Sequence, residues 1–126
     1  MRDSDSRPIR TLFICQQNRK RSATAERVFA KDPTLDVRSA GTASDALVQV
    51  NRRMLEWADV IFVMDDDQRR ELGRMFPDDE SVRRAICLDI PDHYPFLDPE
   101  LVALLRERTR PHLDSLRGPA TDEGHR

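Results

Sequence analysis

The chain has 126 residues, 38% of them hydrophobic, which is enough for one sizeable core and short for two independent domains. Its 21 basic and 23 acidic side chains leave a formal charge of -2, so no global field draws the molecule to nucleic acid or anionic lipid. Two cysteines, Cys15 and Cys87, are too few for a small secreted disulfide scaffold. The apolar run Val60-Ile61-Phe62-Val63-Met64 is far too short to span a membrane, and no signal-peptide core follows Arg2, Asp3 and Asp5. A cytoplasmic, reducing setting is therefore expected, with no membrane and no nucleic-acid partner.

Residues 1–8 are polar and end at Pro8, and residues 118–126 lack apolar spacing, so both ends are expected to fray around a single domain over 9–117. Between them, strand-like segments near 10–15, 36–40, 59–64 and 84–88 alternate with helix-like segments near 21–31, 46–57, 66–75 and 98–116. That alternation predicts an α/β domain with a parallel sheet. Its first three strands would bring Cys15, Gly41-Thr42 and Asp65 to the carboxyl edge, where such sheets bind ligands. Asp65 or Asp66 is the expected N-cap of the 66–75 helix. Asp98 caps the last helix, with Pro99 first inside it and Glu100 in its first turn. Leu101, Leu104, Leu105, Arg108, His112 and Leu116 fall near one face of that helix, Pro111 is a candidate kink, and Phe96 and Leu97 are expected to seat it. Trp57, one turn beyond Met54, reads as a helix-to-sheet contact.

The first strand runs through Thr11-Leu12-Phe13-Ile14 into Cys15-Gln16-Gln17-Asn18-Arg19-Lys20-Arg21-Ser22. A cysteine at a strand-to-helix turn faces backbone N–H groups that converge on an oxyanion and also stabilise a thiolate. Five residues lie between Cys15 and Ser22's neighbour Arg21. Arg21 would close the far side of a tetrahedral anion with two parallel charge-assisted bonds, and Ser22 is placed to donate its hydroxyl to the sulfur. Arg19 and Lys20 add positive charge beside the pocket, which either favours an acidic or multiply phosphorylated substrate or is simply solvated.

Transfer of a phosphoryl group to sulfur leaves an oxygen that needs a proton. The fourth strand ends in Asp89-Ile90-Pro91-Asp92-His93-Tyr94, which supplies two carboxyl groups. Asp92, beyond Pro91, is the preferred acid because its loop can reach over the pocket, where repulsion from a bound dianion favours the protonated form. Asp89 is expected to cap or brace the loop. Asp65, Asp66 and Asp67 do not make a convincing metal site, because adjacent aspartates point apart. The scattered His93, His112 and His125 form no zinc motif, and no glycine-rich nucleotide loop is present. Neither a metal nor another cofactor is expected.

The Cys15-to-Ser22 segment resembles the Cys-x5-Arg-Ser phosphate loop of the low-molecular-weight protein tyrosine phosphatase family. Ser39-Ala40-Gly41-Thr42 is similar to the Ser-Ala-Gly-Thr after that family's second strand. Trp57-Ala58-Asp59 and Leu88-Asp89-Ile90-Pro91-Asp92 resemble its compact bacterial-type branch, and the order of elements matches through about residue 117. The resemblance implies a three-layer fold, a four-stranded parallel sheet in the order 2-1-3-4 with helices on both faces. It implies Cys15 as nucleophile, Arg21 as phosphate and transition-state ligand, Asp92 as acid, Gln16, Gln17, Asn18, Arg19, Lys20 and Ser22 around the phosphate, and Tyr94 as a wall for a phosphotyrosyl ring. Asn18 matches the asparagine that holds the loop, in a left-handed turn that asparagine tolerates.

Three departures accompany the likeness. Gln17 stands where many members have glycine and is expected to strain or reshape the loop. Lys20 replaces a second cysteine, which removes the adjacent-thiol trap. His93 replaces the proline of Asp-Pro-Tyr, and Cys87 reads as core. The expected activity is a cysteine-dependent phosphomonoesterase, foremost a protein tyrosine phosphatase, acting on a phosphorylated protein or small phosphomonoester. The competing readings are an arsenate reductase pairing Cys15 with Cys87, and a catalytically weak phosphoresidue-binding module.

Overall fold

Thr11, Leu12, Phe13 and Ile14 are completely buried, the signature of a strand covered on both faces. They belong to β1 (Ile9–Cys15), which pairs in parallel with β2 (Leu35–Gly41) on one side and β3 (Val60–Val63) on the other. A two-residue β4 (Ile86–Cys87) follows β3, giving the sheet order β2-β1-β3-β4. The fold is thus the expected four-stranded parallel α/β sandwich. The computed structural model describes residues 7–117, so most of the fraying expected at the two ends lies outside the described residues.

Side-chain alternation along the strands builds two cores. Phe13, Cys15, Phe62 and Met64 face α1 (Arg21–Phe29) and α5 (Pro99–Arg117), where Phe13 stacks on Phe29 and Phe62 at 5.6 and 5.3 Å between ring centroids. Leu12, Ile14, Ile61 and Val63 face the other way, onto Leu55 of α2 (Arg52–Trp57), Leu72 of α3 (Asp66–Met75) and Val82 of α4 (Glu80–Arg83). Trp57 packs at the margin of this second core, and the Arg38 guanidinium lies 4.1 Å over its ring.

Four sequence expectations change. The helix expected from residue 46 begins only at Arg52, because the segment before it is held by tertiary bonds. Gly41 donates to the Val48 carbonyl at 2.8 Å, Val50 donates back to Gly41 at 2.9 Å, and Asn51 caps α2 through Met54 N–H at 2.9 Å. The short α4, absent from the sequence reading, forms where Asp79 accepts the Ser81 N–H. In α5 the buried register is Leu101, Leu105, Thr109 and Leu113, while Leu116 is exposed. Thr109, absent from the sequence reading, enters the core already satisfied because its hydroxyl donates to Leu105 O at 2.7 Å. Phe96 and Leu97 are exposed rather than buried under α5; it is the Leu97 backbone that is anchored, donating to Thr24 Oγ1 at 2.9 Å with Leu97 at φ 63°.

Candidate active site

The turn from β1 into α1 curls because its carbonyls are taken from outside. Thr42, Ala43 and Leu47 donate their N–H groups to the carbonyls of Cys15, Gln16 and Gln17 at 3.0, 2.9 and 3.1 Å. With the oxygens pulled outward, the N–H groups of Gln16, Gln17, Arg19 and Lys20 find no acceptor among the described residues. Asn18 adopts φ 60°, as expected for asparagine at such a turn, and sends its own N–H to Cys15 Sγ at 3.2 Å. Gln17 has no left-handed φ, so the strain expected there falls on Asn18 instead. The Gln17 amide reaches Asp45 at 3.4 Å on the surface.

Beneath the loop a buried polar network fixes the sulfur. Asn18 Nδ2 donates to both Ser22 Oγ and Ser39 Oγ at 2.9 Å, and Ser39 passes its own hydroxyl to Glu26. Ser22 Oγ lies 3.0 Å from Cys15 Sγ and 3.3 Å from Ala40 O. Having accepted from Asn18, it holds one hydrogen to share between those two acceptors. An ionised sulfur is the stronger attractor, so the hydroxyl turns to Cys15 when the thiol loses its proton.

Arg21 is almost fully buried and is braced from two directions. Its Nη1 donates to Asp65 Oδ2 at 2.9 Å and to the Ile90 carbonyl at 2.8 Å. Nε is buried without a hydrogen-bond partner and lies 3.6 Å from Asp92 Oδ1. One edge of the guanidinium is therefore tied to the fold, and donors remain on the pocket side. Asp65 serves twice, since it also caps α3 in a reciprocal capping box with Gln68. Sequence reasoning found the cap but not the ion pair, whose partner is 44 residues away. Arg108 was also missed as a brace: its Nη1 donates to the Leu88 and Asp89 carbonyls, both at 2.8 Å, steadying the loop that carries Asp92.

These residues enclose a cavity of about 220 Å³ lined by Cys15, Gln16, Gln17, Arg19, Lys20, Arg21 and Asp92. Asn18 and Ser22 lie behind it. Of the two carboxyl groups considered as acid, Asp92 reaches the lining and Asp89 does not; Asp89 occupies a left-handed turn at φ 57°. Tyr94 is also outside the lining, half-buried against the first core and against His93, with ring centroids 4.2 Å apart. Among the described residues no three metal-binding side chains cluster, and no helix is long and apolar enough to cross a membrane.

Cys15 and Cys87 point to opposite faces of the sheet, Cys15 into the first core and Cys87 onto the margin of the second, with β3 between their strands. Two strand spacings amount to about 9.5 Å. A disulfide bridges Cα atoms no more than about 7 Å apart, with their side chains converging. Cys87 is half-buried rather than deep core, and its partial burial pushes the thiol up from its ordinary value, with the Asp66 charge adding to the shift.

No protein-family model matches the chain, and no curated protein gives a significant sequence match. Solved structures do share its fold. The low molecular weight protein tyrosine phosphatase of Streptococcus pyogenes aligns with a TM-score of 0.75 at 19% identity, over 94% of this chain and 99% of that one. Wzb of Vibrio vulnificus, solved with benzylphosphonate, aligns at 0.70 and 21%, over 85% and 98%. The YwlE arginine phosphatase of Geobacillus stearothermophilus aligns at 0.67 and 20%, over 88% and 97%. At such identities the likeness is one of fold.

Proposed function

We propose that this protein is a cysteine-dependent phosphomonoesterase of the low-molecular-weight phosphatase type, working through a phosphocysteine intermediate in a reducing, cytoplasmic setting. The observation that carries the reading is the convergence on one small cavity of the Cys15 sulfur, a loop of unengaged N–H groups, the free edge of Arg21 and the Asp92 carboxyl group. In the first step the Cys15 thiolate attacks phosphorus. The P–O bond to the leaving group breaks, and the departing oxygen takes the Asp92 proton. In the second, Asp92 removes a proton from water as the water oxygen attacks phosphorus, the S–P bond breaks, and inorganic phosphate leaves. Charge developing on the equatorial oxygens meets the loop N–H groups and Arg21 Nε and Nη2, and the Ser22 hydroxyl steadies the sulfur when it departs.

Protein phosphotyrosine is the leading substrate. A phosphorylated guanidinium would bring positive charge to a rim that already carries Arg19 and Lys20, which disfavours phosphoarginine. The arsenate-reductase alternative needs a second thiol, and Cys87 on the far face of the sheet is unsuited to it.

The test combines two variants. Cys15→Ser should lose turnover while still binding phosphate. Asp92→Asn should slow hydrolysis of phenyl or alkyl phosphates by about 10²–10⁴-fold, and much less for an activated aryl phosphate whose leaving group needs no proton. Wild-type turnover by Cys15→Ser would end the covalent mechanism. A selective loss in Asp89→Asn instead of Asp92→Asn would move the acid.

A further inference from the structure

Arg19 and Lys20 border the same cavity as the Cys15 sulfur, and both are exposed. On the surface, Arg10 pairs with Asp59, Arg52 with Asp79 and Arg117 with Asp32. Arg19 makes one long contact, 3.5 Å to the Asp45 backbone carbonyl, and neither Arg19 nor Lys20 forms an ion pair among the described residues. Lys20 stands at the N-cap of α1 without a side-chain capping bond, so its head group is not needed to start that helix. The only carboxyl group in the lining, Asp92, lies against Arg21. Arg21 itself presents at the same place a buried Nε without a hydrogen-bond partner. Two cations at the mouth thus form no ion pair among the described residues, beside a third that borders the same cavity.

The lining also contains no aromatic or aliphatic side chain. Once the phosphoryl group is seated, apolar contact with the cavity wall has little to add, and the strongest remaining recognition is electrostatic. We propose that Arg19 and Lys20 form a second anion subsite that selects phosphoproteins carrying carboxylate side chains next to the phosphorylated residue. The proposal deepens the phosphatase reading and rests on it. Both head groups are solvated, so each contributes modestly to affinity and the pair biases choice among substrates rather than creating binding.

The experiment compares a phosphotyrosine peptide flanked by glutamates with its glutamine-flanked isostere. Wild-type protein should favour the glutamate peptide by about three- to tenfold in kcat/KM at low salt, with the ratio falling toward one at high salt. In Arg19→Gln/Lys20→Gln the ratio should approach one, and in Lys20→Glu it should fall to one or below. Because each ratio is taken within one variant, any change in its overall rate cancels. The same two peptides titrated onto Cys15→Ser protein report the preference as a ratio of Kd values without turnover. Absent turnover with a preserved Kd ratio would overturn the hydrolase reading and keep the subsite. Equal Kd values, or a wild-type preference that survives in the double variant, would overturn the subsite.

Discussion

Gly41 sits where β2 passes under the loop from Cys15 to Ser22, and adding one methyl group there tests whether the close fit of the two segments sets the proposed site. A Cβ built at Gly41 would lie 2.4 Å from the Gln16 carbonyl oxygen, 2.8 Å from Ala46 Cβ and 3.0 Å from the Asn18 backbone nitrogen. Carbon and oxygen normally approach to about 3.3 Å, so the Gln16 contact must open by about 0.9 Å. Two of the three obstructing atoms belong to backbone, and the loop they belong to is pinned by the bonds from Thr42, Ala43 and Leu47, so it cannot yield by a side-chain rotation. Gly41→Ala should therefore cost about 1–3 kcal/mol of stability as an overpacked site. On the proposed mechanism, a displacement near 1 Å in this loop should also lower kcat/KM by about 10²-fold. Chemical denaturation and steady-state hydrolysis of an aryl phosphate measure the two effects. Gly73→Ala supplies the control: nothing lies within 4 Å of its added Cβ in α3, and the change should stabilise by about 0.5–1 kcal/mol with no loss of rate. If Gly41→Ala matched wild type in both stability and rate, the close approach of β2 to the Cys15-to-Ser22 loop would not govern the proposed site.

Arg21→Lys should lower kcat/KM by about 10²–10³-fold, since one ammonium cannot hold Asp65 and the Ile90 carbonyl while presenting paired donors to an anion; near-normal rates would remove the bidentate role. Oxidation by hydrogen peroxide should stop at adducts on Cys15, and Cys87→Ser should inactivate on the same time course. A Cys15–Cys87 crosslink in the mass spectrum of the oxidised protein would contradict the placement of the two thiols on opposite faces. Asp79 is held below its ordinary value, first by the Ser81 hydroxyl, then by the Ser81 N–H and by Arg52, against the opposing pull of partial burial. Its depressed folded-state value means that the stability it contributes is fully present above the unfolded carboxylate range near pH ~4 and is lost as the pH falls through the folded value. Asp79→Ala should cost about 0.5–2 kcal/mol at neutral pH as a lost helix cap and less in acid; urea titrations at the two pH values check it, and an equal cost at both would refute the linkage.

Much of the site could be read from local pattern. Strand-to-helix alternation, the buried run ending at Cys15, the left-handed Asn18, the caps at Asp65 and Asp98, and the positions of Arg21 and Ser22 all depend on residues within one or two turns of each other, and short-range sterics and hydrogen bonding act on that scale. What depended on partners distant in sequence could not be read this way. The segment before α2 carries an adequate helical pattern, yet it gives its N–H groups and carbonyls to Gln17 and Gly41, because a buried sheet edge leaves no backbone group unpaired. Thr109 enters the core only because a carbonyl one turn back takes its hydroxyl. Asp65 and the Ile90 carbonyl become the braces of Arg21 only when β3 lies beside β1 and β4 beside β3. Asp92 was chosen over Asp89 from the reach of its loop, and the fold brings Asp92 to the cavity while Asp89 turns aside, its carbonyl held by Arg108. The two cysteines illustrate the division most simply: their identities and strands were legible in the chain, but whether they could meet was decided by the parity of side chains across three neighbouring strands, a property of the assembled sheet.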